Sequence, residues 1–197
     1  MERIPIFPLN AVVFPGEYFN LHIFEPRYKQ LIADIEQSKS TFGIPFTDEK
    51  GPIDYGSEVR LHKILKIHPG GELDITVEGV GIFQIEAKED PEDGKLYNSG
   101  LVRRREETPS IYSSNELSLL LHEYLALGSK QEAFQKSDAF MYAYEAGILL
   151  GLYPSKKYRL IQCETEQKRQ IWMCNELKLL IQTRKMELQL DRKFILN

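Results

Sequence analysis

The chain has 197 residues and a mass of 22.9 kDa, 42% of them hydrophobic and 27% charged, with net charge −4 and pI near 5.7. That length holds one or two small domains with a sizeable core, and the acidic balance works against long-range attraction to nucleic acid. No apolar run approaches the roughly 20 residues that cross a bilayer, and Met1-Glu2-Arg3 does not lead into a signal-peptide h-region, so no membrane partner and a cytoplasmic location are expected.

In chain order, the first signal is Phe7-Pro8-Leu9-Asn10-Ala11-Val12-Val13-Phe14-Pro15-Gly16. X-Pro steps force extended backbone at Phe7 and Phe14, and Pro15-Gly16 reads as a tight corner between two apolar runs, since Gly accepts positive φ without steric cost. Pro26 to about Gln37 predicts a short helix, with Tyr28, Leu31, Ile32 and Ile35 at helical spacing and Pro26 in the first turn. Val59, Leu61, Leu65 and Ile67 then share one face of a period-2 segment. Pro69-Gly70-Gly71 turns that segment back into Leu73-Asp74-Ile75-Thr76-Val77, which predicts a β-hairpin. A second pair is expected from Ile82-Phe83-Gln84-Ile85 through Pro91-Glu92-Asp93-Gly94 to Leu96-Tyr97.

After a polar link at about Glu106 to Ser114 the period becomes helical. Leu117, Leu120, Leu121, Tyr124 and Leu125 form one stripe, with Ser114 or Asn115 available as the cap. Further helices are predicted from Ser137 to Leu150, from Ser155 to Gln162, and from about Glu164 to Leu190 with Met173, Leu177, Leu180, Ile181 and Leu188 on one side. The chain therefore reads as a β-rich domain followed by a helical bundle.

The opening run, followed by Leu21-His22-Ile23-Phe24-Glu25-Pro26-Arg27-Tyr28, resembles in order and spacing the Lon amino-terminal domain, the substrate-binding module of the Lon ATP-dependent proteases. A second patch, Tyr55-Gly56-Ser57-Glu58-Val59 with Thr76-Val77-Glu78-Gly79-Val80-Gly81-Ile82-Phe83-Gln84-Ile85, is similar to two further strands of that family. The resemblance implies an α+β fold, with a PUA-like β-barrel and short helix over residues 1–105 and a small α-helical subdomain over residues 106–197. It marks Pro8, Leu9, Pro15, Gly16, Phe24, Glu25, Pro26, Arg27, Tyr28, Gly56, Gly79 and Phe83 as family-motif structural positions. One departure is Ile82, where the family usually has Arg before Phe. The length leaves no room for the Lon ATPase and peptidase modules, so a stand-alone domain is expected.

The residues offer no catalytic constellation. There is no G-x-x-x-x-G-K-[ST] phosphate cradle, no Ser three residues before a Lys and no G-x-S-x-G elbow. His22, His62, His68 and His122 are scattered singly, Glu58 and Glu78 read as carboxylates on a polar strand face, and Cys163 and Cys174 lack metal-ligand spacing. No enzyme activity, cofactor, metal or disulfide is expected.

Binding remains. Phe7, Phe14, Tyr18, Phe19, Phe24 and Tyr28 crowd the first 28 residues. Either they fill the barrel, or Val12, Val13, Phe14, Tyr18 and Phe19 line an apolar groove that takes unfolded or extended polypeptide, with strand addition as a further mode. The role implied is an adaptor or quality-control factor, working with a separate protease. Two alternatives stay open. RNA binding would need a basic cleft, for which Arg103-Arg104-Arg105 is the only compact basic run. Self-association through the helical half is the other, and residues 156–197 carry ten Lys and Arg against five Asp and Glu.

Overall fold

The computed structural model describes residues 1–48, 51–106, 115–128 and 142–195. Six strands and five helices follow in the order β1 (Glu2–Pro5), β2 (Tyr18–Ile23), α1 (Pro26–Ser38), β3 (Thr41–Asp48), β4 (Gly51–Ile67), β5 (Leu73–Glu89), β6 (Ser99–Arg104), α2 (Asn115–Ala126), α3 (Ala143–Leu150), α4 (Pro154–Gln162) and α5 (Glu166–Ile195). They fall into two compact units, Met1–Glu107 with Tyr153–Tyr158, and Thr108–Leu152 with Arg159–Asn197. A linear division at residue 105 does not anticipate that Tyr153–Tyr158 belongs to the first unit. Lys157 ties it there: its ammonium is buried, pairs with Glu17, reaches the Val12 carbonyl at 3.3 Å and lies 5.0 Å over the Phe14 ring.

The sheet of the first unit is antiparallel, with strands in the order β1-β6-β5-β4-β3, and β2 added to β5. The expected hairpin is β4–β5, and its turn closes through His68 N–H to Glu72 O at 2.8 Å, with Gly71 at φ 79°. Its strands are longer than the period suggested. Ile82–Ile85 continues β5, whose partner beyond the Asp93-Gly94 turn is β6, while Leu96 and Tyr97 stay in the connection. A register shift at Leu61/Lys63 moves the inward phase of β4 to Ile64, which packs on the core, so Leu65 is exposed. A second shift at Ile64/Lys66 sets Ile67 opposite Leu73, where it ends the strand exposed.

The expected barrel does not close. Between the continuation of β1 and β3 the described residues form only the isolated parallel bridges Ile6–Gly43 and Leu9–Phe46. The seam carries Pro5, Pro8 and Pro45, and each removes a backbone donor that a continuous ladder would need. The core of this unit joins Phe7, Val13, Leu21, Ile23, Phe42, Ile44, Val59, Ile75 and Val77 to the buried face of α1, namely Tyr28, Leu31, Ile32 and Ile35. Helix α1 starts with Pro26 and ends at Lys39, left-handed at φ 55°, whose N–H caps the Ile35 carbonyl.

In the second unit, Leu117, Leu121 and Leu125 of α2 and Met173, Leu177 and Ile181 of α5 are buried as the helical stripes predict. Helix α3 stops at Gly151, left-handed at φ 62°, as expected. Ser114 and the expected helical start at Ser137 lie outside the described residues. A buried polar cluster holds α3 to α5. Glu166 accepts the Ala143 N–H at 2.8 Å, the Arg169 Nε–H at 2.9 Å and the Gln170 amide at 2.9 Å, and the Arg169 guanidinium lies 4.6 Å over Tyr144. No helix among the described residues is long and apolar enough to cross a membrane.

Candidate functional site

Three of the five residues expected to line a groove are in the core. Val12, Val13 and Phe14 are buried, with Val13 and Phe14 fully enclosed. Val13 N–H donates to Ser57 Oγ at 2.9 Å, and Phe14 opens a turn in which Glu17 N–H returns to the Phe14 carbonyl at 3.0 Å. With Pro15 at the second position and Gly16 at φ 81°, this is a type II turn. It folds the apolar run inward, so these three residues do not form a surface. Their consecutive apolar character was the available signal, because a run without polar alternation has no face to turn to water. Phe19 is half-buried against the same core, and Tyr18 alone of the five stands well exposed, at 58%.

What the structure places on the surface is an edge. β2 pairs with β5 in the register Tyr18–Glu78, Asn20–Thr76, His22–Asp74, and among the described residues no strand pairs its other side. The alternation along β2 buries Leu21 and Ile23 and exposes Tyr18, Asn20 and His22. Tyr18 meets the His62 ring edge-on at 4.8 Å, and Thr76 Oγ–H donates to Asn20 Oδ1 at 2.8 Å. Farther along, Asp74 receives two histidines on separate oxygens, His22 Nδ1 at 2.6 Å and His68 Nε2 at 2.8 Å. Hydrogen bonds from His22 and then His68 hold the Asp74 carboxyl below its ordinary value. The exposed Phe24 ring stacks on His22 at 6.1 Å. Sequence reasoning missed this cluster because its parts lie on β2, at the end of β4 and on β5. Only the register brings them together.

Comparison with known proteins gives the family. Residues 3–170 match the ATP-dependent protease La (LON) substrate-binding domain. The chain belongs to this family. Among solved structures it is similar to the Lon N-terminal domain protein of Xanthomonas campestris, with 24% identity, a TM-score of 0.67 and coverage of 86% of this chain and 95% of that one. It also resembles the N-terminal domain of the Mycobacterium avium complex Lon protease, with 18% identity, a TM-score of 0.63 and coverage of 93% and 98%. At these identities the two structures establish the fold. No curated protein matches.

In this Lon substrate-binding domain the family-motif positions divide by what they touch. Gly79 lies against the Phe14–Glu17 turn, and a Cβ there would stand 2.8 Å from the Phe14 carbonyl carbon and closer still to its oxygen. Gly56 is equally constrained, with the Ile44 oxygen at 2.6 Å and Pro45 Cα at 2.8 Å from a built Cβ. Phe83 is fully buried beside Ile4, Ile6 and Val102. Leu9 packs on the core, and the Pro8-Leu9 step lies at the unclosed seam. At the start of α1, Glu25 pairs with Arg27 at 2.7 Å, and the Arg27 guanidinium covers Tyr28 at 4.5 Å. Ile82, at the family's arginine position, is buried and lies opposite Ser57.

Glu58 corrects an expectation. It lies opposite Gly81 and is buried, not on a solvated polar face. Arg104 grips it with two bonds, Nε to Oε2 at 2.6 Å and Nη2 to Oε1 at 2.7 Å, and Thr41 adds a third. Burial pushes the Glu58 carboxyl up, but the bonds from Arg104 and Thr41 outweigh it and hold the group below its ordinary value. The basic run is likewise drawn into the unit. Arg103 pairs with Glu86, Arg104 also with Glu2, and Arg105 lies 5.4 Å over Tyr55.

Proposed function

We propose that this Lon-family domain is a non-catalytic polypeptide-binding module that takes extended or unfolded protein segments along the open β2 edge and serves as an adaptor or quality-control factor for a separate protease. The observation that carries the reading is the edge itself. Six residues of β2 have no strand partner on the outer side among the described residues, and Tyr18 and Phe24 flank that edge as exposed aromatics. Main-chain pairing at such an edge tolerates many sequences, as recognition of unfolded clients requires, and exposed aromatic side chains supply anchoring area.

Fluorescence anisotropy with a labelled, chemically unfolded client protein tests the reading. Tyr18→Ser is expected to leave stability within about 0.5 kcal/mol, as for an exposed position, while weakening client binding by about 1 kcal/mol or more. Amide resonances of Tyr18–Ile23 should shift on adding client. Unchanged affinity in Tyr18→Ser together with unshifted β2 amides would refute the edge as the binding site.

A second reading has its own observation. On α5, Ile171, Leu179, Met186 and Leu190 are all exposed, and at 100° per residue they fall within one stripe about 100° wide. This favours self-association of the helical unit with a second copy of the chain. Light scattering would show a dimer that Leu179→Lys dissociates, and a monomer at all concentrations would exclude it.

A further inference from the structure

We infer that His22, Asp74 and His68 form a binding site for a divalent transition-metal ion of the zinc type. Each residue offers one ligand atom, and the three atoms lie within 4.8 Å of one another. Tetrahedral coordination with bonds of about 2.0–2.1 Å sets ligand atoms about 3.3 Å apart. The His22 and His68 nitrogens already stand 2.6 and 2.8 Å from the two carboxylate oxygens. To reach that geometry the two hydrogen-bonded pairs open slightly, one carboxylate oxygen turns to the ion, and the three atoms, now within 4.8 Å of one another, draw in around it.

The frame is rigid. His22 and Asp74 are a directly opposed cross-strand pair on β2 and β5. His68 is fixed at the head of the hairpin turn, where its N–H bonds to the Glu72 carbonyl at 2.8 Å. The two imidazoles meet edge to face at 5.6 Å, and Phe24 stacks on His22 at 6.1 Å, which limits rotation of that ring. Lys66 lies opposite Asp74 in the β4–β5 register, and the Lys29 ammonium is directed to the Gly70 carbonyl at 3.2 Å and not to the carboxylate.

The donor set selects the ion class. Two imidazole nitrogens and one carboxylate oxygen suit zinc, copper, nickel or cobalt, whereas magnesium and calcium require six or more oxygen ligands. The ring nitrogens that face Asp74 must carry hydrogen to bond an ionised carboxylate. A neutral imidazole has one such hydrogen, so metal binding moves it to the outer nitrogen of each ring and leaves the inner lone pairs for the ion. His22 and Asp74 are part-exposed, at 53% and 36% of the side chain, which gives the ion a path in and leaves a fourth position open to water or to a donor from a bound chain. A bound ion would tie the open edge strand to the β4–β5 hairpin.

The test is calorimetric titration of zinc chloride into the full chain, untagged and stripped with chelator, alongside the histidine ring proton resonances. One equivalent should bind with a midpoint below about 100 µM. The His22 and His68 ring signals should shift while those of His62 and His122 do not. His22→Ala and Asp74→Asn should each weaken binding at least about tenfold, and His62→Ala should leave it unchanged. The melting temperature of the wild type should rise with zinc concentration, since the ion binds the folded state. Absence of saturable binding to the wild type would show a hydrogen-bonded cluster only and would overturn the proposal, whether or not the variants fold. Binding that persists in both His22→Ala and Asp74→Asn would overturn it equally.

Discussion

Gly79→Ala adds one methyl group at the point where the Phe14–Glu17 turn touches β5. The new Cβ would stand 2.8 Å from the Phe14 carbonyl carbon, closer to its oxygen, and 3.2 Å from Val13 Cγ1. Non-bonded carbons prefer about 3.5–4.0 Å, and the obstructing atoms are backbone, so the turn must withdraw as a whole. Two hydrogen bonds hold it in place, Gly16 N–H to the Gly79 carbonyl and Gly79 N–H to the Glu17 carbonyl, both 2.9 Å. Withdrawal weakens both. Overpacking costs about 1–3 kcal/mol and each lost hydrogen bond about 1 kcal/mol, which together give about 3–5 kcal/mol, a large share of a typical stability of about 5–15 kcal/mol. For a unit of roughly 100 residues that lowers the melting temperature by at least about 12 °C. Gly81→Ala is the matched control, because its Cβ meets nothing nearer than Glu58 Oε2 at 3.8 Å. Urea midpoints of the two variants decide the matter, with an unchanged slope required for the comparison. Equal midpoints would show that the close approach at Gly79 is not what demands glycine there.

Gly16→Val should cost about 1–3 kcal/mol although a Cβ there has open space, because Gly16 sits at φ 81° and a β-branched residue is strained in that region; an unmoved denaturation midpoint would refute the turn assignment. Lys157→Met strands the part-buried Glu17 carboxylate and should cost about 2–4 kcal/mol, with Glu17→Gln in the same chain recovering part of it, and a loss unrelieved by the second change would mean that the pair is not the cause. The third concerns acid. The Glu58 carboxyl is held below its ordinary value of 4.5, so the unfolded chain binds its proton first, and the stability this pair contributes is present above that value and lost as the pH falls through the lowered one. Glu58→Gln should therefore lower stability at pH 7 and flatten the decline below about pH 4.5; a decline as steep as that of the wild type would place the acid sensitivity elsewhere.

Local signals carried much of the architecture. The spacing of Tyr28, Leu31, Ile32 and Ile35, with Pro26 at the start, fixes α1 to within a residue of its observed end, because a short helix on a sheet needs one apolar stripe and a start signal. Pro69-Gly70-Gly71 likewise marks the β4–β5 turn. What local signals miss is pairing across distance. β2 joins β5 from more than fifty residues away, so the meeting of His22 with Asp74, and of Glu58 with Arg104, depends on register. Bulges in β4 also shift the inward phase from Leu65 to Ile64 with no turn residue at that place to announce it. The groove failed for a different reason. Aromatic density alone does not distinguish a wall from a core, and the turn that Pro15-Gly16 announces is what folds Val12, Val13 and Phe14 inside.

The open edge follows from how β5 is shared. One side of β5 pairs with β4 over Leu73–Gln84, and the other is divided, with Leu73–Glu78 taken by β2 and Phe83–Glu89 by β6. The division falls at Gly79–Ile82, where the Phe14–Glu17 turn closes on Gly79 and Arg105 N–H bonds to the Ile82 carbonyl at 2.8 Å. β6 therefore cannot extend past β2, and β2, delivered by that turn, ends the sheet. An unpaired edge is a liability that folded proteins limit with short strands and polar outer faces. β2 has both, six residues with Asn20 and His22 exposed, yet it keeps the aromatic Tyr18 at one end and Phe24 just beyond the other. On the function proposed above, these two aromatics supply anchoring area for an extended chain at an edge whose short length and polar residues limit stable sheet growth.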